Sequence, residues 1–141
     1  MKRYPIRLLL MASVAALALG VAAQVQAQTS VRCNVPFGFS LGGKELPSGV
    51  YTFRVAGDGG SKIVLVENWD ARAGLFLPAT VEDESMSENT VVTFDHYGSH
   101  YLLSSVSLPG NGISLHFSPT PAEREMMLGS RGEVVSIRAS R

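Results

Sequence analysis

Along residues 31–39, apolar side chains recur at every second position: Val31, Cys33, Val35, Phe37 and Phe39 alternate with mostly polar or small residues. A period of two is what a strand with one buried face produces, because successive side chains point to opposite sides. Pro36 has no N–H to give to a ladder, so this segment is predicted to be an edge strand or a bulged one. The same pattern predicts strands over 50–55, with Tyr51, Phe53 and Val55 on one face, and over 74–79, 90–97, 100–108, 113–117 and 133–138. Residues 62–67 differ. Ile63, Val64, Leu65 and Val66 are apolar at both parities, which predicts a central strand covered on two sides. Turn chemistry punctuates the chain at Pro47-Ser48-Gly49, Gly57-Asp58-Gly59-Gly60, 68–73, Gly98-Ser99 and Pro109-Gly110-Asn111-Gly112. Residues 41–45 break the alternation, and 82–89 read as an acidic loop.

The texture changes near the C-terminus. Thr120-Pro121-Ala122-Glu123 supplies a cap residue, a proline at the first helical position and a glutamate at the capping-box position. A short helix over 122–128 is expected, ended by Gly129 in the left-handed conformation. Two turns of helix are too short to persist alone in water, so it should dock on the sheet. Ala122, Met126 and Leu128 are its expected packing face, Met126 making the deepest contact, with Glu123, Arg124 and Glu125 turned to solvent. Seven or eight short strands and one short C-terminal helix define an all-β fold, a mainly antiparallel sandwich or small barrel. Phe37, Phe53, Ile63, Leu65, Phe94 and Leu103 are expected to share its one core.

The N-terminus carries an address. Lys2, Arg3 and Arg7 precede an uncharged apolar run over 8–23, and Val25-Gln26-Ala27 offers small residues at the positions a signal peptidase reads. The run is shorter than the roughly 20 residues that cross a bilayer as a helix. Residues 1–27 therefore read as a signal peptide, an uncleaved anchor being the alternative, and residues 28–141 as a single β-rich domain in the periplasm or outside the cell. Removing Lys2, Arg3 and Arg7 from twelve basic residues set against twelve acidic ones leaves a net charge of −3. With no basic cluster left, nucleic acid is not an expected partner. Membrane contact is expected only through the signal segment if it stays uncleaved.

Candidate chemistry is sparse. Gly38-Phe39-Ser40-Leu41-Gly42 spells G-x-S-x-G, but the serine of that motif needs a strand-to-helix elbow, and Gly43 to Pro47 cannot extend a helix. His96 and His100 are four apart. A two-residue turn at Gly98-Ser99 pairs Tyr97 with His100 and His96 with Tyr101, putting the two histidines on opposite faces and Asp95 away from His96. His116 has no ligand spacing to a partner, and Glu82, Asp83, Glu84 and Glu88 lack the alternation and glycine turn of a calcium loop. No catalytic residue, metal ligand or cofactor is assigned. His96 with Asp95 or Glu67 is the first place to look for perturbed acid–base groups. Trp69, at a turn beside Asp70, is expected to plug the core at a sheet end, with a sugar-stacking platform as the alternative. Cys33, the one cysteine, cannot form an internal disulfide and is expected to be a small buried hydrophobe, an intermolecular disulfide being the alternative.

Three stretches taken together carry a resemblance: Val35-Pro36-Phe37-Gly38-Phe39 running to Leu46-Pro47-Ser48-Gly49-Val50-Tyr51, then 94–103, then Ser118 with Ala122-Glu123-Arg124-Glu125. The layout, VPFxF…LPxGxY…YGxxYxL…AERE, resembles a group of small, secreted, functionally uncharacterised β-rich bacterial proteins. Gly38 stands where such proteins often have a polar residue. The resemblance implies export and a β-rich fold, and brings no catalytic residues with it. The expected function is a non-enzymatic binding or envelope-structural module whose partner is a small molecule or an envelope component. A small secreted hydrolase or a carbohydrate-binding domain is the alternative.

Overall fold

The computed structural model describes residues 29–56, 61–83, 89–108 and 112–139. The signal segment, the turn at 57–60, residues 84–88 of the acidic run and the turn at 109–111 lie outside the described residues. The fold is all-β with one short C-terminal helix. Its strands are β1 (Ser30–Val35), β2 (Phe39–Leu41), β3 (Lys44–Leu46), β4 (Gly49–Ala56), β5 (Ser61–Asn68), β6 (Ala73–Asp83), β7 (Val91–Tyr97), β8 (His100–Leu108), β9 (Ile113–His116) and β10 (Gly132–Arg138). The helix α1 (Pro121–Leu128) lies between β9 and β10.

All ten strands belong to one sheet. A continuous antiparallel path runs β1-β4-β5-β6-β9-β8-β7-β10, and its end strands β1 and β10 approach each other. The sheet thus curls around a single core, its two end strands near each other without pairing among the described residues. The two strands beyond the expected eight are β2 and β3, which form where the alternation breaks. Gly42 and Gly43 turn this hairpin with φ of +58° and +77°. A side chain at Gly42 would be strained by its positive φ and would also force Leu77 to shift, since a Cβ there would lie 2.6 Å from Cδ2 of Leu77. Ser40 pairs with Glu45 on one side and, in parallel, with Leu102 on the other. The hairpin takes over the edge of β8 where β9 runs out, at the point where the Phe117 N–H donates to the Ser104 carbonyl. Opposite, a bulge opens at Ser104, because Thr93 pairs with Ser105 and Phe94 with Leu103. The acidic segment also differs from expectation, since Glu82 and Asp83 extend β6 and pair with Ser114 and Ile113.

Side chains fill the interior. Val35, Phe53, Val64, Val92, Phe94 and Val106 are fully buried, and Val31, Tyr51, Val66 and Leu115 nearly so. Phe53, Phe94 and Leu103 join this core as expected, while Phe37 is half-buried against it. The expected inward positions of β5 are reversed: Ile63 is 50% exposed and Leu65 is half-exposed, while Val64 and Val66 point inward. Pairing explains the reversal. Val66 lies opposite Phe53 and Leu75, and Val64 opposite Val55 and Leu77, and paired residues share a face. Nor is β5 covered on two sides, because its outer face is open.

An aromatic column closes one end of the core. Phe37 stacks on Tyr101 at 3.9 Å between ring centroids and meets Phe94 edge-on at 5.1 Å. Phe39 meets both Phe94 and Tyr51 edge-on. The Tyr51 hydroxyl donates to the Pro47 carbonyl, and burial pushes its phenol up, the neighbouring Asn68 amide pulling the other way. Cys33 is buried and free, as expected of a small buried hydrophobe, and burial pushes its thiol up to about 11.

The helix begins as its signals demand and packs differently. Thr120 caps it with a complete capping box and Pro121 in the first turn, but Gly129 is right-handed (φ −87°), so the helix ends without the expected left-handed stop. Glu123, expected in solvent, is 3% exposed. The capping box folds its side chain back over the helix start, where it accepts the Thr120 N–H at 2.7 Å and the Gly43 N–H at 3.1 Å. One carboxylate thereby ties the helix to the β2–β3 turn. Ala122 and Leu128 face solvent, and Met127 rather than Met126 lines the small cavity of about 70 Å³ with Leu102 and Phe117.

Candidate functional site

The outer face of β4, β5 and β6 contrasts with the filled interior. Alternation turns Tyr51, Phe53 and Val55 inward on β4, and so turns Arg54 outward. The ladder then sets Arg54, Leu65 and Phe76 side by side, with Thr52, Glu67 and Gly74 in one flanking row and Ala56, Ile63 and Pro78 in the other. Phe76 is 68% exposed. The Arg54 Nη2 lies 3.3 Å from the Glu67 Oε2, a diagonal ion pair across two strands.

The turn after β5 completes this face. Asn68 organises it by accepting the N–H groups of Asp70 at 2.9 Å and Ala71 at 3.1 Å, an Asx-type turn. Arg72 enters β6 with φ +50°, an uncommon conformation for a residue with a side chain. The Trp69 backbone N–H donates to the Val50 carbonyl, and the residue is 64% exposed. This overturns the expected core plug: inward positions at this end are already filled by Tyr51 and Asn68, so the indole has only the outer side. A groove of about 320 Å³ results, lined by Arg54, Glu67, Trp69, Arg72 and Gly74.

A second, larger cleft of about 550 Å³ lies at the β2–β3 hairpin, lined by Ser40, Glu45, Pro47, His100 and Tyr101 among others. The serine of the G-x-S-x-G match and one of the two spaced histidines thus meet in one cleft. Ser40 lies mid-strand in β2 and leads into a glycine turn, so the strand-to-helix elbow is absent there. No hydrogen bond or ion pair joins Ser40, Glu45 and His100 among the described residues.

The remaining candidates disperse. His96 pairs with Tyr101 and Tyr97 with His100, as the turn predicts, so the two histidines occupy opposite faces. His96 stacks on the Tyr101 ring at 4.1 Å. Asp95 faces the cavity under α1, and Glu67 lies on the outer face with Arg54, so the His96, Asp95 and Glu67 set does not converge. His116 Nε2 lies 3.4 Å from Glu82 Oε2. Among the described residues no three His, Cys, Asp or Glu side chains are grouped to hold a metal ion, and no helix is long and apolar enough to cross a membrane. Arg54 and Arg72 went unnoticed in the sequence, although the parity of Arg54, opposite to Tyr51 and Phe53, marks it as outward. Compared with known proteins, the chain matches no family, no curated protein and no solved structure.

Proposed function

We propose that this chain is an exported, non-enzymatic β-module that binds an envelope component through the outer face of β4, β5 and β6. One observation carries the reading: apolar side chains fill the inside, yet Ile63, Phe76 and Trp69 are each left exposed on the outside. Large apolar side chains left in water on one face of an otherwise well-packed domain are the kind of surface that partners cover. Among the described residues the interior is filled by side chains such as Phe53, Phe94 and Val106. The signal-like segment over 1–27 supplies the compartment for such a partner.

Two measurements test this. Extracytoplasmic protein should begin at or near Gln28 by mass spectrometry, and an intact N-terminal segment in the mature product refutes cleavage. Purified protein should be retained on isolated cell envelopes, and the Ile63→Ser/Phe76→Ser double variant should lose that retention while melting as the wild type does. Unchanged retention removes the outer face from function.

A hydrolase is the second reading, favoured by the shared cleft of Ser40, Glu45 and His100. A reactive serine there would take a fluorophosphonate label that Ser40→Ala abolishes. An unlabelled wild-type protein disposes of it.

A further inference from the structure

β6 changes partner along its length. Residues 73–80 pair with β5 and residues 80–83 with β9, and Thr80 pairs with both, so the two partners lie on opposite sides of the strand. From Ala73 to Ala79 the side that β9 would continue along is therefore open, and among the described residues no backbone hydrogen bond fills it. The opening reaches the core. Leu75 and Leu77 share the inner face with Val66 and Val64, yet they are only half-buried where those valines are at most 2% exposed. A cleft of about 340 Å³ begins there, lined by Leu77, Ala79, Leu41, Gly42, Phe117 and Thr120 among others.

Charge sets this edge apart. Proteins guard free strand edges against pairing with charged side chains, prolines or very short strands. The strands β1, β3 and β10, each paired on one side only, carry Arg32, Lys44 with Glu45, and Glu133 with Arg138. Residues 73–79 of β6 carry no charge at all, and Pro78 is their one guard.

From this we infer that the open edge of β6, from Ala73 to Leu77, accepts an extended segment of a partner protein as an added strand. A strand edge presents N–H and C=O groups at every second residue, a repeat of about 6.8 Å. Extended polypeptide backbone carries the complementary groups at the same repeat, and this chemistry selects the occupant. Its inward side chains are aliphatic, because they meet Leu75 and Leu77. Pro78 has no N–H to offer and ends the addition just before β9 takes over the edge. A lone segment suits the site better than the sheet of a second copy, because the β2–β3 hairpin stands beside this edge with its Gly42 turn against Leu77. The site borders the outer face proposed above and differs from it: backbone groups of the edge do the binding, and Ile63 of β5 takes no part.

Peptide binding tests the inference. The probe is a labelled peptide of alternating valine and threonine between terminal lysines, used beside two forms N-methylated at every second residue, one on each edge of the strand. The protein should bind the parent peptide, and at least one methylated form should lose tenfold or more in affinity, because methylation removes the donors facing β6 and keeps the side chains. In hydrogen exchange, alternate amides from Ala73 to Leu77 should exchange quickly in the free protein and slow tenfold or more with peptide bound. Phe76→Lys, which puts a charge on the edge strand, should weaken binding tenfold or more. Ile63→Lys, the same charge on the neighbouring strand, should not, and both variants should melt as the wild type does. No binding up to about 1 mM, equal affinity for all three peptides, or equal loss in the two lysine variants overturns the inference. A dimer in sedimentation that Phe76→Lys dissolves, without peptide binding, gives the edge to a second copy and overturns it as well.

Discussion

The two sides of the β4–β5–β6 sheet are built from the same kinds of residue and behave in opposite ways. Inside, Tyr51, Phe53, Val64 and Val66 are at most 2% exposed, and the aromatic column of Phe37, Phe39, Phe94 and Tyr101 closes one end of the core. Outside, Ile63 and Phe76 are at least half exposed, and Trp69 extends the surface beyond the strands. Apolar character alone therefore does not measure burial here. The inner face gains stability from its apolar residues, whereas the outer face leaves comparable residues in water, where the function proposed above gives them a role in recognition. Aromatic side chains divide between the two tasks according to the parity of the strand position they occupy.

Mutations on the two faces should sharpen that contrast. The largest effect is expected inside: Phe94→Ala removes a fully buried ring that contacts Phe37 and Phe39, and should cost about 3–5 kcal/mol in denaturant unfolding. A loss below about 1 kcal/mol would mean the interior is loosely filled. Next comes Cys33. Its thiol titrates near 9.0 when unfolded and is pushed up to about 11 by burial, so between these values the unfolded chain releases a proton that the folded one keeps. Stability is then intact below pH 9.0 and falls as pH rises toward 11, by at most about 3 kcal/mol. Cys33→Ala should remove that share of the decline and leave the part due to Tyr51, whose phenol is also raised. An unchanged pH profile would mean that Cys33 reaches water in the folded protein.

At the helix, Glu123→Ala strands the N–H groups of Gly43 and Thr120 and should cost about 1–3 kcal/mol, with amides 124–128 losing protection from hydrogen exchange. The exposed neighbour Glu125→Ala should do neither. The smallest effect belongs to the outer face: Phe76→Ser should shift stability by no more than about 0.5 kcal/mol. A loss comparable to that of Phe94→Ala would erase the distinction between the faces.

Several features were legible in the chain itself. Alternation fixed most strands, Gly98-Ser99 fixed the Tyr97–His100 register, and Thr120-Pro121-Ala122-Glu123 fixed the helix start. Each of these is a local signal, carried by residues within a few positions of one another. The direction of β5 was not legible, because Ile63, Val64, Leu65 and Val66 are apolar at both parities and only pairing with Phe53 and Leu75 breaks the tie. The β2–β3 hairpin escaped because strands of three residues are too short to display a period, and β8 supplies the edge that holds them. Glu123 looked like a surface residue until Gly43, eighty positions away, supplied the second donor for its carboxylate. The candidate groove follows the same rule. Trp69 and Gly74 are visible in the sequence, but their shared face with Arg54, Glu67 and Phe76 exists only once three strands are in register, because strand order and cross-strand neighbours are long-range pairings that no local pattern encodes.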